Sequence, residues 1–451
     1  MRRTLDDLVE FVAHTHYDNL PVSVIDRAKL VLLDTVAAIL GGSQTFEIGN
    51  LARLASQSSA TKSSTIFGHR SLADSGWASL VNATAGTSTE LDEGNAYAKG
   101  HPAIHTIPAA LALGEELDST GRDVLLSIVL GYEVATRVGT ACDLRNGAHP
   151  HGTWGTLGAA TAAAKLMGMD AIGIRETINI ASSLTLATSF QTATEGALVR
   201  NIYAGMSNQN GLLAVQLTKS GFTGEKDGVT NVFGTVMSDT FKENALTDEL
   251  GTRFEITRGY FKKHSCCRYN HAALDALELL RNRNKFDISD VRSVQIETYR
   301  QAAMLRDPHP TTTLAARFSV PYAVAISLVR NSTAPSAFDT TALIDPVIRK
   351  FAEKVQVREN PQYSAMTPAR RPARVTVELN DGHSFSEQVF SSRGDPDQPF
   401  TKDELVEKYL ALSTPVIGAK SAQAAFSAVE DFVELPTVRK FTHLLRGESR
   451  A

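Results

Sequence analysis

The chain has 451 residues, a formal net charge of -4 and 43% hydrophobic residues. This length exceeds what one hydrophobic core usually serves, so we expect two domains. The slightly negative charge provides no basic field for nucleic acid, and no apolar stretch without charges is long enough to span a membrane. The N-terminal residues 1–7 lack the apolar core of a secretory signal, so we expect a cytoplasmic protein without membrane or nucleic-acid partners.

The first half of the chain has the periodicity of successive helices. Between residue 4 and about residue 221, apolar residues recur three and four positions apart, with Gly or Pro between the segments. Residues 24–40 are one such helix. Residues 155–168 are dense in Ala and Gly, which let helices approach closely, and we expect a buried helix of a bundle there.

The pattern changes after about residue 260. Residues 291–299 alternate as a strand, and two further strands, 374–379 and 383–389, flank the turn signal Asn380-Asp381-Gly382 of a β-hairpin. Apolar helices are expected at residues 315–329 and near 346–355. We therefore predict an α+β domain at residues 268–395.

A capping-box pattern, Thr401-x-x-Glu404, begins the last helices, which we expect to return to the first domain. The predicted fold is mainly α with an α+β second domain. A large helical domain, discontinuous in sequence, takes residues 1–267 and 396–451, and a smaller α+β domain takes residues 268–395.

The three cysteines, Cys142, Cys266 and Cys267, are too few and too badly spaced for a disulfide framework. Reduced thiols are the simpler interpretation. An iron–sulfur site is the weaker alternative, because the Cys-x-x-Cys spacing typical of cluster ligands is absent.

Two segments place imidazoles just ahead of apolar helices. The acidic run at residues 90–95, which contains Asp92, is followed by His101 and His105, and a helix is expected from Pro108. Carboxylates and imidazoles so close in sequence can form a pair with tuned pKa values, and a helix N-terminus attracts anions. The alternative is that the two histidines only cap or fill a loop.

The second segment holds His149 and His151, in a Gly-rich stretch before the Ala-rich helix. It too is typical of an anion-binding loop. A zinc site at this His-x-His pair is a weaker interpretation, because no carboxylate or Cys stands at a familiar ligand spacing.

Basic residues form the remaining candidates. Arg200 lies between apolar neighbours and requires an anionic partner if it is buried, either a structural carboxylate or a substrate carboxylate. The run at residues 262–271, with Lys262 and Arg268, lies at the expected domain boundary, where clefts often bind ligands; a solvated basic face is the alternative. Pro321 stands at a helix start that contains Tyr322.

At these residues the sequence resembles the MmgE/PrpD family, which includes 2-methylcitrate dehydratase, cis-aconitate decarboxylase and iminodisuccinate epimerase. The resemblance covers nearly the whole chain. The matching segments are Gly100-His101-Pro102, Ile107-Pro108-Ala109-Ala110, His149 with Gly155-Thr156-Leu157-Gly158-Ala159-Ala160, Ala204-Gly205, the run from Lys262 to His271, and Ser319-Val320-Pro321-Tyr322.

The resemblance implies an all-helical domain with an α+β lid, a pocket between them, a homodimer, and no required metal or organic cofactor. It also implies which residues line the pocket: Asp92, His101, His149, Lys262 and Tyr322.

The chain departs from the decarboxylase-like pattern in three places. The acidic motif Asp-Phe-Asp-Asp-Thr is replaced by Leu-Asp-Glu-Gly-Asn at residues 91–95. Arg200 replaces a lysine and cannot readily act as a proton donor or base. Cys267 stands where the decarboxylases have a histidine. These departures argue against decarboxylation.

The resemblance and the candidate residues together predict proton abstraction next to a carboxylate. Cationic residues and His151 would bind the substrate, and His101 and His149 would act as base and acid. Tyr322 would donate to a leaving hydroxyl or stabilise an enolate-like intermediate, and Asp92 would orient a histidine or bind a substrate hydroxyl.

We expect a lyase, a dehydratase of a hydroxylated di- or tricarboxylate. A two-base epimerase is the alternative, a cis-aconitate-type decarboxylase is less favoured, and a non-catalytic polycarboxylate-binding protein is the hypothesis from another class. The cations expected to hold carboxylates are Arg200, Lys262 and Arg268.

Overall fold

The computed structural model describes residues 4–447. Residues 1–3, part of the N-terminal segment used to predict location, and residues 448–451 lie outside this range. The helices of the first half are Thr4–His14 (α1), Val22–Gly42 (α2), Phe46–Ser58 (α3), Ser75–Ser88 (α4), Pro102–Glu116 (α5), Gly121–Ala141 (α6), Gly155–Leu166 (α7), Ala171–Ser183 (α8), Gln191–Glu195 (α9) and Val199–Lys219 (α10).

The two helices expected at residues 24–40 and 155–168 are confirmed as α2 and α7. Helix α5 begins six residues before the predicted Pro108, so this proline lies inside the helix. A proline there leaves the carbonyl of Ile104 without its usual donor. Asn208 on α10 compensates, because its Nδ2 donates to Ile104 O at 2.9 Å and its Oδ1 accepts from Ala109 N at 2.8 Å.

The helices pack as a bundle around α7, which contacts α5, α6, α8 and α10. Helix α6 is long and apolar enough to cross a membrane by composition alone. However, 94% of its most apolar window is buried inside the protein, which is typical of a core helix.

The second half carries the main sheet. Its helices are Arg268–Arg283 (α11), Arg300–Ala303 (α12), Thr313–Arg317 (α13), Val320–Arg330 (α14), Thr340–Ile344 (α15), Pro346–Ala352 (α16) and Pro361–Ser364 (α17). Outside this sheet, short strands of two to four residues form three pairs. These are Ser64–Thr65 (β1) with Leu72–Ala73 (β2), Gly94–Asn95 (β3) with Gly259–Tyr260 (β6), and Cys142–Leu144 (β4) with Ser238–Phe241 (β5). The sheet strands are Val291–Thr298 (β7), Val355–Glu359 (β8), Ala373–Leu379 (β9) and Ser384–Val389 (β10).

The sheet has the order β10-β9-β7-β8, with β7 and β8 parallel and the other pairs antiparallel. The predicted hairpin is confirmed as β9 and β10. The sequence prediction missed β8, because it extended the preceding helix to residue 355. It also merged α13 and α14, which Ser319 separates by capping α14 through a 3.1 Å bond from Tyr322 N.

The last helices, Lys402–Glu430 (α18) and Arg439–Thr442 (α19), pack on the helical half, and α18 contacts α2. The predicted capping box of Thr401 and Glu404 is confirmed. One hydrophobic cluster draws on residues between 5 and 261 and between 405 and 445, and a second draws on residues 266–389 with Ala193. The fold is mainly α with a smaller α+β part. The domain division at residues 1–267 with 396–451 and 268–395 stays a proposal.

Candidate active site

A cavity of about 430 Å³ lies between the helical and α+β parts. Helices α5, α7, α10 and α11 all begin at its wall, and free N–H groups at helix starts favour anions. Six of its lining residues are His101, His149, His151, Arg200, Cys267 and Arg268. A larger cavity of about 890 Å³ includes Lys262 in its wall but none of these six residues. We therefore take the smaller cavity as the candidate site.

A short strand pair brings distant charged segments together. Strands β3 and β6 pair with Gly94 opposite Tyr260, so the acidic segment lies beside the segment that holds Lys262. Lys262 is fully buried, and its Nζ lies 3.2 Å from Glu90 Oε2 and 3.4 Å from Asp92 Oδ1. Burial lowers the pKa of Lys262, but the two carboxylates outweigh it and the pKa is raised, so the amine stays charged.

Glu90 is a site residue that the sequence interpretation did not select. Its carboxylate also forms a buried ion pair with Arg200 Nη1. Burial raises the pKa of Glu90, but Arg200 and Lys262 hold the pKa below its usual range. Its backbone has a positive φ of 56°, an uncommon conformation for a residue with a side chain and one that clusters at functional sites. The acidic run at residues 90–95 was the sequence signal for this part of the site, but only Asp92 was selected from it.

Arg200, Lys262, Glu90 and Asp92 thus form a buried four-charge cluster in which two cations balance two carboxylates. Burial raises the pKa of Asp92, yet His101 and Lys262 hold the pKa well below its usual range. The sequence prediction gave the charges of Arg200 and Lys262 to substrate carboxylates. In the structure both charges already have protein partners.

His101 precedes the first turn of α5, and its ring nitrogens have different surroundings. Nδ1 lies 2.7 Å from the carbonyl oxygen of Glu93 and 3.0 Å from Asp92 Oδ2. Both neighbours are acceptors, so Nδ1 carries the hydrogen. Nε2 makes no hydrogen bond with any described residue and faces the cavity, which leaves it free to accept a proton.

His149 has the opposite arrangement. The backbone N–H of His151 donates to His149 Nδ1 at 3.0 Å, so the hydrogen of the neutral ring is on Nε2. Burial and then the charge of Arg200 lower the pKa of His149 well below its usual range, so the ring stays neutral. Arg200 Nε–H is oriented toward Nε2 at 3.4 Å, but a neutral ring cannot accept at both nitrogens, and the shorter bond at Nδ1 decides the tautomer. In that tautomer Nε2 and Arg200 Nε both carry hydrogens. Two donors therefore converge at one place in the cavity.

The ring of His151 lies at the centre of a histidine cluster. It packs edge-on against His101, His105 and His149, each at 4.8 Å between ring centroids. Neither of its ring nitrogens has a hydrogen-bond partner among residues 4–447. Burial lowers the pKa of His105 to about 4 and that of His151 well below the ordinary value, so these two rings are neutral at neutral pH. Gly155 makes room, because a Cβ there would lie 2.3 Å from the His105 ring.

Asp92, His101 and His151 offer three ligand atoms within 4.8 Å of one another, a set that could hold a metal ion. One contact disfavours this use. Lys262 Nζ lies 3.4 Å from Asp92 Oδ1, so a metal ion bound to this carboxylate would lie close to a second positive charge.

The cysteines are free and buried. Burial raises the pKa of Cys142 to about 12 and, with the charge of Glu90, that of Cys267 to about 11. Both thiols therefore keep their hydrogen at neutral pH. Cys267 nevertheless lines the cavity, ahead of α11.

Arg268 and Tyr322 differ in how they relate to the cavity. Arg268 lines it and forms an ion pair with Asp395 at 2.5 Å. Tyr322 is not at the cavity wall, and its hydroxyl donates to Ala342 O at 2.6 Å. The side chain is buried in the second hydrophobic cluster. The expectation that Tyr322 lines the pocket is corrected, because its position on α14 turns the hydroxyl toward Ala342.

Comparison with known proteins matches the chain to two family models along most of its length. The MmgE/PrpD N-terminal domain matches residues 6–244, and the MmgE/PrpD C-terminal domain matches residues 264–434. Cis-aconitate decarboxylase of Aspergillus terreus is 24% identical over 95% of this chain and 92% of its own. The mouse protein of the same name is 25% identical over 96% of this chain and 91% of its own. The human one is 25% identical over 94% and 91%. The family and these relatives are enzymes of the dehydratase and decarboxylase type, and they support a lyase-type function in general.

Proposed function

The chain belongs to the MmgE/PrpD family, and from this membership and the cavity we propose that it is a dehydratase of a hydroxylated di- or tricarboxylate. The observation that carries the proposal is the pair of opposite tautomers at His101 and His149. One histidine presents a lone pair to the cavity and the other presents a hydrogen. Proton abstraction next to a carboxylate requires both.

His101 is the proposed base. Its Nε2 takes the proton from the carbon next to the carboxylate, and Asp92, 3.0 Å from Nδ1, stabilises the imidazolium that forms. Asp92 keeps its negative charge because Lys262 and His101 lower its pKa. The imidazolium can then return the proton to the departing hydroxyl, which leaves as water.

His149 and Arg200 are the proposed electrophilic pair. Removing the proton moves negative charge onto the carboxylate, and an oxygen between His149 Nε2 and Arg200 Nε would accept from both. The two atoms lie 3.4 Å apart and cannot satisfy each other when both carry hydrogens. The lowered pKa of His149 keeps its imidazole neutral. In this tautomer the neutral ring is a hydrogen-bond donor at Nε2.

The same pair supports a second candidate, an epimerase, if His149 delivers a proton to the opposite face of the carbon. Decarboxylation is less favoured. The carbanion that it leaves needs a proton donor, and Arg200 stands where the decarboxylase-like pattern has a lysine. We also propose that the protein is a cytoplasmic homodimer that requires no cofactor. Light scattering tests the dimer.

Proton NMR in deuterated water tests the proposed function. The wild-type protein is incubated with citrate-like, malate-like and amino-dicarboxylate compounds. Loss of water from a hydroxy acid supports the dehydratase, and deuterium uptake without loss of water or carbon dioxide supports the epimerase. Carbon dioxide release from cis-aconitate supports the decarboxylase. Saturable binding with no reaction and no exchange in any compound contradicts an enzyme and supports a binding protein.

A further inference from the structure

A buried arginine of the second domain, Arg371, lies at the wall of the same cavity. It is 8% exposed, and its Nη1 has no hydrogen-bond partner among residues 4–447. Its Nη2 donates to the carbonyl oxygen of Ala96 at 3.4 Å, and the hydroxyl of Tyr260 is a further, uncharged partner. It forms no ion pair within the described part of the chain. Burying a guanidinium without an anion is costly, which indicates that an anion from outside the chain completes this position.

The other buried cations discussed above, at the cavity wall or in the charge cluster beside it, have anionic partners. Arg200 pairs with Glu90, Lys262 pairs with Glu90 and Asp92, and Arg268 pairs with Asp395. Arg371 is therefore the buried cation at this cavity wall that has no ion pair among residues 4–447, and it can pair with a substrate carboxylate.

A phenol hydroxyl accompanies Arg371. Tyr299 lines the cavity, is 1% exposed, and its hydroxyl has no hydrogen-bond partner among the described residues. Burial raises the pKa of Tyr299 well above its ordinary value despite the nearby charge of Arg371, so the hydroxyl keeps its hydrogen. Tyr269 packs against both, with its ring 5.8 Å from the Tyr299 ring and 5.8 Å from the Arg371 guanidinium carbon.

The ring of Tyr260 packs near both Arg371 and the proposed base, His101. The ring of Tyr260 lies 6.3 Å from the ring of His101 and 5.5 Å from the guanidinium carbon of Arg371. A small organic acid held at His101 therefore extends toward Arg371 along the same cavity wall.

We propose that Arg371 and Tyr299 bind a second carboxylate of the substrate, remote from the carbon that loses its proton. This subsite makes the enzyme select di- and tricarboxylates over monocarboxylates, because an arginine fork recognises a carboxylate through two hydrogen bonds. The inference rests on the proposed function, since it assumes that the reaction takes place at His101 in the same cavity.

Isothermal titration calorimetry of the full chain with tricarballylate and with butyrate tests the subsite. The wild-type protein should bind tricarballylate more tightly, and Arg371→Met should reduce that preference about 10- to 100-fold. Tyr299→Phe should weaken tricarballylate binding about 3- to 10-fold. Arg370→Met removes the same charge one residue earlier, from an exposed side chain outside this cavity, and should bind as the wild type does.

The subsite is refuted if Arg371→Met keeps the wild-type preference for tricarballylate, or if the wild-type protein prefers neither acid. If Arg371→Met does not fold, as circular dichroism would show, Tyr299→Phe decides, since it removes one oxygen atom and keeps the ring. Proton NMR of hydroxy acids incubated with the protein separates this result from the proposed function. Tricarballylate binding that depends on Arg371, without loss of water from any hydroxy acid, would retain the subsite and reject the dehydratase.

Discussion

Glu90 and Lys262 stand 172 positions apart in sequence, yet their side chains form a buried ion pair 3.2 Å long. The pairing of β3 with β6 creates this contact, and Arg200 and Asp92 extend it into a four-charge cluster. The cluster fixes the carboxylate that supports His101. The same charge cluster therefore stabilises the folded site and positions Asp92 for the proposed chemistry.

Replacing Lys262 by Met should lower the free energy of unfolding by about 3–5 kcal/mol, because the buried Asp92 would lose its lysine partner and Glu90 would keep only Arg200. Lys263→Met is the matched control. Its partner Glu278 lies on the surface, so the change should cost less than about 1 kcal/mol. Urea denaturation measures both. Equal losses in the two variants would show that the buried cluster does not contribute as described.

The two proposed catalytic histidines should show opposite tautomers in a ¹⁵N-labelled protein near neutral pH. We expect His101 to be protonated at Nδ1, next to Asp92 and the Glu93 carbonyl oxygen, and His149 at Nε2. Two-bond proton–nitrogen correlation spectra distinguish the forms, with His101→Asn and His149→Asn for assignment. A hydrogen on Nδ1 of His149 would remove it as the proposed donor.

The buried histidine cluster should make the protein sensitive to acid. The folded-state pKa of His105 is lowered to about 4 by burial, whereas the unfolded value is about 6.5. Between these values the unfolded chain binds the extra proton, so stability is present above pH 6.5 and is lost as the pH falls toward 4.

His105→Asn should reduce the slope of the free energy of unfolding over this range by about 1.4 kcal/mol per pH unit. Denaturation series at several pH values measure it. At pH 8 the ring is neutral in both states, and the difference between the proteins there reports lost packing alone. An unchanged slope would show that His105 takes up a proton in the folded protein.

Tyr322→Phe should keep turnover within about twofold of the wild type, because the hydroxyl bonds to Ala342 O and does not reach the cavity. The lost hydrogen bond should lower stability by about 1 kcal/mol. Steady-state kinetics and urea denaturation measure the two effects. A loss of turnover of about 100-fold with an intact fold would restore the role that the sequence suggested.

The sequence predicted the features that depend on local patterns. Apolar periodicity located α2 and α7, and Asn380-Asp381-Gly382 located the hairpin. Strand β8 was missed because its five residues follow a short helix after two positions. No turn residue between them separated the two elements.

The site was predicted less completely, since its geometry depends on contacts distant in sequence. His101 and His149 were found because each stands before a helix start. Their tautomers depend on backbone groups of Glu93 and His151, which a sequence pattern does not orient. Arg371 lies in a loop after a short helix and has no local signal of function.

The rate at which the hydrogen next to the substrate carboxylate is lost, followed by proton NMR in deuterated water, tests the central claim most directly. With a hydroxy acid that the wild-type protein turns over, we predict that His101→Ala and His149→Ala each lower this rate by about 100-fold or more while the fold is kept. Near-wild-type rates in both variants would contradict the assignment of these histidines as base and donor.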